Sequence, residues 1–147
     1  MSYDATAFVT LARLLEAEAE EIIAAAEAEA EADAQGMADP RRADDLMAGL
    51  RQRADDLALA AEGLVPPPLL ADGHRHRVLA FNQLNQSSYE FLRYFQTHQQ
   101  ERQSRARLLR DAAERELARA RGLDADAGWP VVTAENPAPQ SASSPAQ

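Results

Sequence analysis

Three histidines and two pairs of adjacent aspartates are the residues of this chain whose types could do metal or acid–base chemistry. His74 and His76 lie two apart, and His98 follows about six turns further along a helix. Positions i and i+2 of a helix face different ways, so His74 and His76 cannot share one metal ion there. Asp44-Asp45 and Asp55-Asp56 could offer paired carboxylates. Helical neighbours diverge by about 100°, however, and neither pair has a companion histidine or a Glu-x-x-His motif. With no cysteine, disulfides, thiolate nucleophiles and Cys-based metal sites are excluded. There is no glycine-rich phosphate loop, nucleophile elbow or zinc motif. The sequence therefore predicts no enzyme, no metal and no cofactor. It predicts a solvated helix start for the run 74–77 and solvated acidic faces for the aspartate pairs and the helix-one glutamates.

The elements that must carry these residues follow from composition. Of 147 residues, 46% are hydrophobic, but 32 are alanine and 17 are leucine, with only two isoleucines. Alanine buries little area, so the core of larger side chains is thin. Ala, Leu, Glu and Arg favour helix. Too few Val, Ile, Thr and aromatic residues are present for a β-sandwich or for buried parallel strands. The expected fold is all-α: a three-helix antiparallel coiled-coil-like bundle over 1–122, with a long third helix and a disordered C-terminal tail.

Helix one is expected over 5–35, where Phe8, Leu11, Leu15, Ile22 and Ala26 form one apolar stripe and Gly36 supplies the stop. Helix two is expected over 40–62, opened by Asp39 as N-cap and Pro40 at the first helical position, and closed by Gly63. Residues 63–73 form a proline-rich linker whose Leu64, Val65, Leu69 and Leu70 should fold back onto the helix ends. Helix three is expected over 74–121, about 72 Å long if unbroken. Its Val78, Phe81, Leu84, Phe91 and Phe95 make a core stripe, and residues 96–107 hold a single apolar residue, Ala106. Apolar positions then resume at Leu108, Leu109, Ala113 and Leu117, with Gly122 as the stop. Residues 123–147 are a polar tail in which Trp129 should dock on a helix.

Charge is unevenly distributed along the chain. The net charge is −9, with residues 1–35 at −8 and residues 74–121 at +5. The overall sign argues against a nucleic-acid partner. The asymmetry favours an acidic helix one docked antiparallel beside the basic helix three. The N-terminus lacks a basic region, and Thr6, Thr10 and Arg13 interrupt the apolar stretch after it, so a cytoplasmic location is expected. No run of 18 apolar residues exists, so no membrane insertion is expected.

The string Leu79-Ala-Phe-Asn-Gln-Leu-Asn-Gln-Ser-Ser-Tyr-Glu-Phe-Leu92 resembles the Leu-x-x-x-Asn-x-x-Asn-x-x-x-Leu-Leu stretch of FlgN-type flagellar export chaperones. Leu11, Leu14 and Leu15 followed by Glu16 and Glu18 resemble that family's opening helix, and the resemblance covers roughly residues 8–121. The alanine-rich end of helix one and the proline-rich linker depart from the family. The resemblance implies a cytoplasmic chaperone that binds C-terminal helices of flagellar hook-associated proteins and delivers them to the secretion apparatus. It assigns partner binding to Leu108, Leu109, Ala113 and Leu117. Independently, the same four residues read as an amphipathic stretch too far along helix three for the shorter helices to cover. A self-assembling structural coiled coil of a phage or cell-envelope machine is the alternative, and there the patch would make a homo-oligomer.

Overall fold

A computed structural model describes residues 5–129 of the chain. Those residues form four helices and a short turn: α1 (Ala5–Ala34), α2 (Pro40–Glu62), a 3-10 turn (Pro68–Leu70), α3 (Ala71–Thr97) and α4 (Gln100–Asp126). The expected all-helical class is found, and there is no strand among the described residues. The expected tail lies outside them from residue 130 onward.

Local signals account for α1 and α2. Gly36 ends α1 in the left-handed region at φ 71°, a conformation open to glycine without a Cβ clash. The Asp39 carboxylate accepts a hydrogen bond from the Arg41 backbone N–H at 3.2 Å, and Pro40 fills the first turn. Gly63 closes α2 by donating to the Leu59 and Ala61 carbonyls. In the linker, Leu70 is buried and Leu64 half-buried, whereas Val65 and Leu69 stand in solvent.

The single long third helix is corrected to two. His98 adopts φ 58° and ends α3, its N–H bonding the Tyr94 carbonyl. The chain then reverses into α4, and Ser87 Oγ donates to the Ala106 carbonyl at 2.7 Å across the hairpin. The physical reason is burial. A straight helix would leave Ala106, Ala113, Leu117 and Ala120 without an apolar partner. Folding back buries all four, and the polar stretch around 96–100 becomes the turn. Gly122 is not a stop either, because α4 continues to Asp126 and the left-handed residue is Gly128 at φ 101°.

Cross-helix partners give the topology. Glu16 meets Arg121 and Glu27 meets Arg110, so α1 and α4 run antiparallel. Glu18 meets Arg53, and Glu16 with Asp33 meet Arg77 with Tyr94. The helices therefore alternate up-down-up-down, and α1 runs parallel to α3. The acidic first helix lies against the basic C-terminal half, as its charge predicted. Ile22, Met47, Leu50, Leu57, Phe81, Leu84 and Phe91 form the centre of the core. The face that α1 contributes is mostly small: Ala12, Ala19, Ala26 and Ala30 are buried. No helix among the described residues is long and apolar enough to cross a membrane.

Candidate functional site

The hairpin divides the four residues expected to bind a partner. Ala113 is 1% exposed and Leu117 3%, and both belong to the core. Leu109 is half-buried, and Leu108 is 69% exposed. The reversal at His98 is the cause: it turns one edge of the former patch onto α3 and leaves the other edge outside. Ala113 and Leu117 thus belong to the core, and of the four only Leu108 and Leu109 reach the surface.

Leu109 opens onto a groove of about 500 Å³ over the outer face of α3. Asn85, Gln86, Tyr89 and Glu90 of α3 line it, with Arg51 from α2 and Arg105 with Leu109 from α4. The Arg51 guanidinium lies 5.7 Å from the centre of the Tyr89 ring, a cation–π arrangement. Glu90 accepts from Arg102 at 3.1 Å and, more loosely, from Arg105 at 3.4 Å. Asn85 donates to Asp55 at 3.1 Å, and its own carbonyl oxygen is buried with no donor among the described residues.

A second constellation sits at the opposite end of the bundle from the His98 turn. Arg77 of α3 is wholly buried. It donates to Glu16 of α1 at 2.7 Å, to Asp124 of α4 at 2.5 Å, and to His74 Nδ1 at 3.1 Å. Arg13 also reaches Glu16 and Asp124, at 2.9 and 3.1 Å, and Arg121 donates to the other oxygen of Glu16 at 3.0 Å. His74 Nε2 meets the Ala61 carbonyl at 2.8 Å. With Nε2 as donor and Nδ1 as acceptor, the imidazole is assigned as the neutral Nε2–H tautomer. Burial, and after it the Arg77 cation, hold its pKa below the ordinary histidine range.

This overturns the expectation of a solvated start at 74–77 and of a wholly solvated acidic face on α1. Both His74 nitrogens are engaged, so the ring offers no free base to solvent. A cap of Phe8, Ala12 and Leu70, with Trp129 packed against it, covers this end, and the Trp129 backbone N–H donates to the Asp124 backbone carbonyl at 2.9 Å. Trp129 thus docks as expected. The cluster locks three helices together; a buried ion group of this kind is costly to break but adds little over apolar packing.

A sequence signal for the lock exists. Glu16 falls in phase with Ala12, Ala19 and Ile22, Arg77 with Phe81 and Leu84, and Asp124 with Leu117 and Ala120. Charges of opposite sign at core positions of three helices have one economical solution, which is one another.

Among the described residues no three His, Asp or Glu side chains are gathered to hold a metal ion. His76 bonds Glu116 at 2.6 Å, and His98 lies at the far turn. No family model, curated protein or solved structure matches this chain.

Proposed function

We propose that this protein is a non-catalytic helix-binding chaperone of the flagellar-export type, and that it binds C-terminal helices of hook-associated proteins. The observation that supports helix binding is Leu109 lining the α3 groove with Tyr89, next in sequence to the exposed Leu108. A leucine and an aromatic floor flanked by polar walls can receive the apolar stripe of an amphipathic helix. The flagellar partner rests on the resemblance at Leu79–Leu92 and on the cytoplasmic expectation.

The test is binding of a labelled C-terminal segment of a hook-associated protein, followed by fluorescence anisotropy. L108E/L109E should weaken it by about tenfold or more while leaving helicity intact. Ala113 and Leu117 are unsuitable targets, because changing them would disturb the core. Unchanged binding by L108E/L109E would refute the site, and absence of binding to any such segment would refute the partner.

Self-assembly into a structural oligomer is a second reading, favoured by exposed Leu11 and Leu14 one turn apart on α1. It requires a stable oligomer in sedimentation at micromolar concentration, and a monomer there excludes it.

A further inference from the structure

We infer that the α3 groove selects acidic helices: its occupant is an amphipathic helix of another protein, with carboxylates on both sides of its apolar stripe. This rests on the helix-binding reading above and names the chemistry of the partner.

The groove has one cationic side chain on each wall. Arg51 stands on α2 and Arg105 on α4, with Tyr89 on the floor between. Among the described residues the Arg51 guanidinium meets the Tyr89 ring and no carboxylate. Arg105 is half-exposed and only loosely bonded to Glu90, whose carboxylate already takes a closer bond from Arg102. Two guanidiniums therefore face the groove against one carboxylate that is already shared. This local excess is positive in a chain whose net charge is −9.

A helix seated on Tyr89 and Leu109 would carry side chains up both walls, in the way that flanking positions of a coiled coil meet across an apolar seam. Aspartate or glutamate at those positions would satisfy Arg51 and Arg105, and lysine would be repelled by both.

The probes are two synthetic helical peptides with leucine at i, i+4, i+7 and i+11. One is flanked on both sides of that stripe by glutamate and its twin by lysine. The glutamate peptide should bind about tenfold tighter than its twin at low salt, with the preference shrinking as salt rises. R51E/R105E should reverse the preference, and R51Q/R105Q should abolish it while preserving the fold by circular dichroism. Equal binding of the two peptides, or a preference unmoved in both double variants, overturns the charge inference and leaves helix binding standing. Binding of neither peptide overturns both. A dimer of this chain that R51E/R105E dissociates would assign the groove to a second copy and overturn the inference.

Discussion

Replacing Gly73 by alanine should unfasten the buried lock. Gly73 lies in the first turn of α3 against α4. A β-carbon there would stand 2.3 Å from Asp124 Oδ1 and 3.1 Å from the Ala120 carbonyl oxygen. Neither neighbour can yield cheaply. The Ala120 oxygen is helix backbone, and the Asp124 carboxylate is held through Oδ2 by Arg77 and Arg13. Either α4 moves away or the Arg77–Asp124 bond breaks. Removing one partner from a buried ion pair costs about 3–5 kcal/mol. Alanine recovers about 1 kcal/mol over glycine inside a helix. The net loss should be about 2–4 kcal/mol, a large share of an ordinary domain's stability. Urea unfolding measures it, read both by helical circular dichroism and by the fluorescence of the single tryptophan, Trp129. G49A is the matched control, because nothing lies within 4 Å of a β-carbon at that helical position. It should gain about 0.5–1 kcal/mol. If G73A proved as stable as the parent, or rose alongside G49A, the close packing of α3 on the Asp124 carboxylate would be refuted.

Two further outcomes follow from the histidines. The folded state holds the His74 pKa low, whereas an unfolded histidine titrates near about 6.5. As pH falls below that value the unfolded chain gains a proton that the folded chain refuses. His74 therefore contributes stability above it that is lost on acidification, by at most about 1.4 kcal/mol per pH unit. Unfolding free energies of the parent and H74Q between pH 8 and 5 should diverge with this sign; parallel curves would refute it. At the α3–α4 turn, H98G removes the cost of a left-handed β-carbon and should raise stability by about 0.5 kcal/mol in thermal unfolding, net of the lost Tyr94 edge contact.

What was legible in the sequence was what is locally encoded. The bounds of α2 follow from Asp39, Pro40 and Gly63, whose effects reach a few residues. The reversal at His98 was hidden because nothing in Gln96-Thr97-His98-Gln99-Gln100 breaks a helix by propensity. Neither glycine nor proline marks it, and the turn is imposed by burial of Ala113 and Leu117 against α3. That tertiary demand also divides the expected binding patch, since its two inner residues, Ala113 and Leu117, are buried in the hairpin. The lock was missed for a different reason. Reading Glu16 and Arg77 as surface residues follows the usual cost of burying charge, and only their phase with the apolar stripes pointed inward. The α3 groove was not legible at all, because it needs α2 and α4 set on either side of Tyr89.

The alanine face of α1 has a consequence for how the bundle finds its alignment. Small side chains give shallow knobs, so the alanine positions of α1 would tolerate a slide of one turn, about 5.4 Å, and only Phe8 and Ile22 among its buried apolar side chains would resist it by shape. Surface pairs would resist weakly: a four-residue slide in one direction puts Glu31 where Glu27 meets Arg107 and Arg110. The same slide carries Met37, beyond the helix end, to the place where Asp33 accepts from the Tyr94 hydroxyl. The opposite slide sets Ala12 beside the buried Arg77 guanidinium in place of Glu16. Each misalignment thus strips a buried polar group of its partner at one end. The polar contacts at the two ends of α1 act as a vernier, rejecting shifts that the alanines between them would tolerate.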